Sequence, residues 1–564
     1  MNILNFFYKT IGTILFVITF LSTSSVAALD KFNKTERVSD YFSGILLLNE
    51  NKYAKSFDFL KKLNGLEISH ANYSIKYLYS LVNSGNLKKA FDYSKKLEKQ
   101  KLDSVESQLI IGIFHLKNSD INLAQKYFLK AKTINSSFIL NNYLSSSLYN
   151  WSSLNNLDLN QASLAIKKLD ERFENLKKIQ KVFLNCYFDD SNTNNLFKEL
   201  TLNKNIDFSR YNYFYASFVA NSGKLDEAKK IINSALKLYP RNLLLNQYKI
   251  DLNQGNNTSS FNCKNKEHVI AEILYITSNA LSSQSIYPLS DFYLNLAKYL
   301  NKDFHSYDTL SAENFYKNDN FENAKKVYNK LSKKGKAFQW YSSKQLTRIY
   351  IQEGNKDYAL KLLRNAYNNL SNHDIYETFD YAEFLKNNEK FEESILYYNK
   401  VLNKVKKNHP LYIESTDGRG VSYERIGEWN KAEKDLLASL EVNPNQAYVL
   451  NYLAYSWIEQ GIKIEKSLSM LEKANKLRSN DPYITDSLGW ALFKLGRYKE
   501  SKDYLQLAVK LLPGDPIVND HFGDSLWKNG NEIQARYYWN YVLGLEKTEN
   551  VLKKKIKEKL IKGI

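Results

Sequence analysis

The sequence predicts an all-α chain, built as a right-handed superhelical solenoid of helical hairpins. Three observations lead there. Breakers are scarce: 564 residues contain only 7 Pro and 20 Gly, and a long chain with few breakers favours helices. A small residue after a turn recurs every 34 or 35 residues over most of the chain. Large and small residues recur with it at offsets of four and seven, which lie on one face of a helix.

The elements follow in chain order. Hydrophobic residues make up 43% and charged residues 25%, a globular rather than a disordered balance. Residues 1–28 read as a secretory signal peptide. Lys9 is the only charged side chain before Asp30, the apolar run Ile11 to Leu21 follows it, and small residues place cleavage after Ala27 or Ala28. The run is short for a membrane span of ~20 residues, so membrane attachment is expected only if this segment stays uncleaved. The mature chain is expected to be exported to the periplasm or cell envelope. Neither cysteine, Cys186 nor Cys263, stands at the cleavage site, so no lipid anchor is expected. Export permits a disulfide, and the spacing leaves open whether these two meet.

The repeat is anchored on Ser56, Ala90, Ala124, Ala228, Ser290, Ala324, Ala359, Ser394, Ala432, Ser467, Ser501 and Ala535. Five residues before the anchor Gly is frequent, as at Gly85, Gly354, Gly427 and Gly496; four after it comes a large residue, as at Leu60, Phe128, Leu436, Leu505 and Trp539. Twelve before it lies a second small position, including Gly44, Gly112, Gly420, Gly489 and Gly523. Each unit is therefore helix, turn, helix, with small residues where the helices cross. This resembles the tetratricopeptide repeat, whose units stack because none can bury its apolar face alone. The repeats divide into an N-terminal set at 29–135 and an array at 209–545. An irregular helical segment at 136–208 separates them, an insertion loop falls near 253–268, and 546–564 form a basic capping helix.

Chemistry finds little purchase. Seven histidines are scattered, and no nucleophile elbow, zinc-protease or phosphate-loop motif is present. Gly418-Arg419-Gly420 imitates a phosphate loop, but Gly420 falls on the small first-helix position. Asp520, His521 and Asp524 crowd together, yet Gly523 and Trp527 among them fit the repeat. No cofactor, metal or catalytic residue is expected. A net charge of +19 is spread along the chain, whereas nucleic-acid binders concentrate theirs on one face.

What the repeat leaves free is the exposed side of the first helices, which lines the groove of such solenoids. Three residues before the small position, the last four repeats carry Asp417, Asn451, Asp486 and Asp520. One residue after it they include Tyr455, Trp490 and Asp524, and four after it Phe493 and Trp527. Acceptors for backbone N–H groups beside aromatic rings suit a protein partner or an extended peptide. The competing reading has the acids solvate the helices and the rings pack between repeats.

The stretch from Val449 to Trp539 goes beyond the generic repeat. It is similar to the C-terminal block of exported tetratricopeptide proteins of Gram-negative bacteria, especially the alpha class. A related group acts as adaptors for a periplasmic processing protease in cell-wall hydrolase turnover. That resemblance implies a non-enzymatic scaffold for protein–protein interaction in the envelope. An assembly or secretion factor is the alternative, and an enzyme with its site in the irregular segments is a second one.

Overall fold

The computed structural model describes residues 34–134, 138–202, 208–256, 260–370 and 372–564. The signal-peptide segment lies outside them. Thirty α-helices and no strand occur among the described residues, and no helix there is long and apolar enough to cross a membrane. The described residues are all-α, built largely of paired helices. Its contacts divide it into two units, the first ending at Ala366 and the second beginning at Tyr367. The array start expected at 209 thus falls inside the first unit.

The hairpin geometry follows from the small positions. An added Cβ at Gly489 would stand 2.6 Å from Leu505 Cγ and 3.1 Å from the Leu505 backbone nitrogen. The same relation, sixteen residues apart, places Gly44 against Leu60 and Gly523 against Trp539. In these hairpins the first helix lacks a side chain where the large residue of the second helix enters. Where the anchor is serine, its hydroxyl can tie the crossing: Ser56 Oγ donates to the Gly44 carbonyl at 2.7 Å. Gly496 makes the turn at φ +75°, a backbone region that costs an L side chain roughly 1 kcal/mol.

The first unit opens with three such hairpins, whose first helices are Lys34–Asn49, Ala71–Asn83 and Val105–Lys117. Helix Tyr287–Leu300 packs against all three. Asn83 Nδ2 donates to the Pro288 carbonyl at 2.9 Å, and Lys117 Nζ to the Leu300 carbonyl at 3.0 Å. Tyr53 donates to the buried Asp291, whose pKa burial raises to about 6. This side of the N-terminal hairpins is therefore filled by the chain's own later helix.

The irregular segment holds helices Ile139–Ser152, Leu159–Lys167, Glu174–Tyr187 and Thr193–Thr201. Buried Gln180 ties the third of these to the first, accepting from Trp151 Nε1 at 2.9 Å and donating to the Tyr143 hydroxyl at 2.7 Å. Cys186 of this segment is disulfide-bonded to Cys263 of the insertion loop, with a Cα–Cα distance of 6.0 Å. A bridge of this kind stabilises largely by shrinking the unfolded ensemble, more so for long loops.

Two outcomes test these forces. Gly489→Ala lowers the stability of the second unit by about 1–3 kcal/mol, because the Leu505 backbone must shift; chemical unfolding followed by circular dichroism measures it. Reducing the disulfide, or Cys186→Ser, destabilises the first unit by about 2–4 kcal/mol. Identical melting with and without reductant would show that the bridge holds nothing.

Candidate functional site

The first helices of the second unit are Ile375–Asn387, Pro410–Arg425, Ala447–Glu459, Pro482–Lys494 and Pro516–Lys528, and helix Asn550–Lys562 ends it. Their starts are set locally. Asp481 accepts from the backbone of Tyr483 and Ile484 at 3.1 and 3.2 Å, with Pro482 in the first turn. Asp515 and Pro516 repeat that arrangement one hairpin later, at 2.9 and 3.1 Å. A side-chain acceptor followed by Pro is a strong helix start. It sets the register of Asp486 and Asp520.

The C-terminal end of the row is closed by the chain itself. Asp486, 5% exposed, meets His521 Nδ1 at 2.9 Å. Burial alone would lower the His521 pKa, but Asp486, with Asp520 and Asp524 behind it, raises it. The imidazole lies flat on Trp490, centroids 4.0 Å apart, and Trp490 stacks on Phe493 at 4.8 Å. Trp490 Nε1 donates to Glu459 at 2.7 Å. Asp520 and Asp524, 7% and 5% exposed, share Lys559 of the last helix at 2.6 and 2.7 Å. Burial raises the Asp524 pKa to about 6, Asp520 adds to this, and Lys559 opposes it. Trp527 lies beside Trp539 at 5.4 Å, under the Arg536 guanidinium and against the Gly563 backbone.

The other end differs. Asp417 and Asn451 are partly exposed residues, yet the Oδ1 atom of each is buried with no hydrogen-bond donor. Burial raises the Asp417 pKa to about 6, helped by Glu383 and Glu414 and opposed by Ser439 and Lys386. Tyr455 beside them is partly buried, and burial raises its pKa as well. The nine groove residues thus form two sets. Asp486, Trp490, Phe493, Asp520, Asp524 and Trp527 pack within the chain. Tyr455 packs in the same cluster as Trp490 and Phe493, which leaves Asp417 and Asn451 as the less occupied positions.

The residue two before the small position explains the split. His521 occupies it in the last repeat and reaches back to Asp486. Ser487 occupies it one repeat earlier, and its hydroxyl turns to the Tyr483 carbonyl at 2.9 Å, leaving Asn451 Oδ1 unmet. Tyr452 occupies it before that and donates to Glu424 at 2.6 Å rather than to Asp417. The roles of His521 and Lys559 are absent from the sequence reading. The signal that could have found Lys559 is a lysine-rich terminal helix following an acidic row.

The suspected motifs resolve into packing. Arg419 is held bidentate by Asp435 at 2.7 Å and by Asn399 at 2.6 Å. Among the described residues no group of three or more His, Cys, Asp or Glu side chains is placed to hold a metal ion. In the first unit, two cavities border the irregular segments. One, of about 440 Å³, includes Asp251, His268 and Phe304; the other, of about 590 Å³, includes Tyr143, Lys168 and Arg172.

Residues 305–548 match the model of the tetratricopeptide repeat family. Over that span the chain is similar to tetratricopeptide-repeat proteins. It is 28% identical over 158 residues to the TPR repeat-containing protein PA4667 of Pseudomonas aeruginosa, covering 28% of this chain and 26% of the relative. The match thus spans about a quarter of that relative's length. Solved structures that match part of the chain include MamA from Desulfovibrio magneticus, 17% identical, covering 32% of this chain and 98% of that one, TM-score 0.28. YrrB, described as a TPR protein with an unusual peptide-binding site, is 16% identical, covering 33% of this chain and 92% of that one, TM-score 0.27.

The energetic state of Asp417 can be measured. Its folded pKa stands above the usual 3.8, so the unfolded chain releases this proton first as pH rises. Stability is then lost between about pH 4 and 6, and the full cost remains above. Asp417→Asn is expected to stabilise the second unit at pH 7.5 by about 1–3 kcal/mol, with the gain vanishing below about pH 4. Thermal unfolding at both pH values checks it, and a gain independent of pH would assign the effect elsewhere.

Proposed function

We propose that this protein is an exported, non-enzymatic scaffold that holds a segment of another protein along the first helices of its second unit. Repeats of this family generally serve as non-catalytic interaction scaffolds. The observation that carries the reading is the pair of buried acceptors without donors, Asp417 Oδ1 and Asn451 Oδ1. Buried polar atoms are rarely left unmet, and a bound polypeptide supplies donors along its length.

Export is supported by the N-terminal sequence and by the Cys186–Cys263 disulfide, since such bridges persist in oxidising compartments. Within the envelope, the resemblance of the C-terminal block favours an adaptor for a periplasmic protease or cell-wall hydrolase. Service in polysaccharide, pilus or outer-membrane protein export is the alternative.

The test compares partners captured from envelope extract by wild type and by Asp417→Arg/Asn451→Arg, with circular dichroism confirming the fold. Loss of a partner held by wild type is the expected result. If every partner remains bound, the row is not the binding site.

A further inference from the structure

The row has four equivalent positions, at Asp417, Asn451, Asp486 and Asp520. Two are occupied within the molecule, and both occupants are basic side chains. His521 sits on Asp486, and Lys559 bridges Asp520 and Asp524 at 2.6 to 2.8 Å. Those carboxylates are more than nine-tenths buried. A buried carboxylate needs a cation or several donors to remain ionised, and here the chain provides the cation. Lys559 comes from a separate helix at the end of the chain and enters the pair from outside the Pro516–Lys528 helix. It shows how a lysine from another segment seats on this row.

The remaining two positions have the same placement on their helices and no such occupant. Tyr452 and Ser487, which stand where His521 stands in the last repeat, are turned to other partners. The surroundings favour a cation. Glu383, Glu414 and Glu459 lie along the same first helices, and Lys386 is taken up by Glu383 at 2.9 Å through both oxygens. Tyr455 adds a ring face beside Asn451, a surface that attracts an ammonium or guanidinium group.

We infer that the row reads positively charged side chains, that His521 and Lys559 fill its last two positions from within, and that Asp417 and Asn451 receive a lysine or arginine of the bound protein segment. This rests on the scaffold reading and names the chemistry of its partner. The segment is a basic one, and an acidic or neutral segment is discriminated against because Lys386, the cation that favours ionised Asp417, is already paired with Glu383.

The experiment uses the full chain and a labelled short peptide alternating lysine and alanine, with a glutamate-for-lysine version as control, followed by fluorescence anisotropy at pH 8. Wild type is expected to bind the lysine peptide, more weakly as salt rises, and to ignore the glutamate peptide. Asp417→Asn weakens binding about tenfold, the usual scale of a charge-assisted hydrogen bond. Asn451→Asp installs the residue found at the other three positions and tightens binding about three- to tenfold, a gain that misfolding cannot mimic. Equal binding of the two peptides, or both variants within twofold of wild type, overturns the inference. Partner capture that survives that result would leave the scaffold reading standing, so the two fail separately.

Discussion

The close crossing of the two helices in each hairpin is the constraint on which the rest depends. At Gly489 the first helix has no room for even a methyl group, because Leu505 fills the space. That contact fixes the spacing of the helices and the rotation of the first helix about its axis. Once the rotation is fixed, every other position on that helix has an assigned face. Asp486 and Phe493 stand about one turn to either side of the crossing, and their faces are set for that reason. A repeat of 34 residues copies the arrangement, so a side chain three before the small position meets the corresponding face in each hairpin.

The structure uses the sides of its first helices in a way generic stacking does not require. In the first unit, helix Tyr287–Leu300 lies against the first helices of three N-terminal hairpins and exchanges hydrogen bonds with them. In the second, Lys559 closes the acidic end. The shared physics is desolvation: first helices carry polar groups toward one side, and groups buried there need partners. The chain supplies those partners itself over much of its length. Along the acidic row, Asp417 Oδ1 and Asn451 Oδ1 are among the buried atoms left unmet.

The hairpins were legible in the sequence because their signals are local. The thirty-four-residue spacing, the turn at Gly496 and the pairing of Gly489 with Leu505 all lie within one unit. The row of Asp and Asn was legible too, since it follows from the same register. What each member of the row touches was not. The His521 contact with Asp486 crosses from one hairpin to the next, and the Lys559 contact depends on how the terminal helix docks. Periodicity carries no information about either. The Cys186–Cys263 bridge and the docking of helix Tyr287–Leu300 are longer-range still, set by chain closure over 77 residues and more than 200 respectively.

Stability and binding pull in opposite directions at Asp417. A carboxylate whose burial raises its pKa to about 6 is ionised at neutral pH against the preference of its surroundings, which weakens the fold. Asn451 occupies the same position one repeat later without carrying a charge, so the fold itself accepts the neutral side chain there. A destabilising charge at a site that tolerates the amide has its physical rationale in what it does for a ligand. The carboxylate's desolvation cost is already met in the free protein, so an arriving cation has only its own hydration to give up. At Asp520 and Asp524 the same cost is offset permanently by Lys559. The two ends of the row therefore differ in occupancy: Lys559 meets the carboxylates at one end, and Asp417 Oδ1 and Asn451 Oδ1 are unmet at the other.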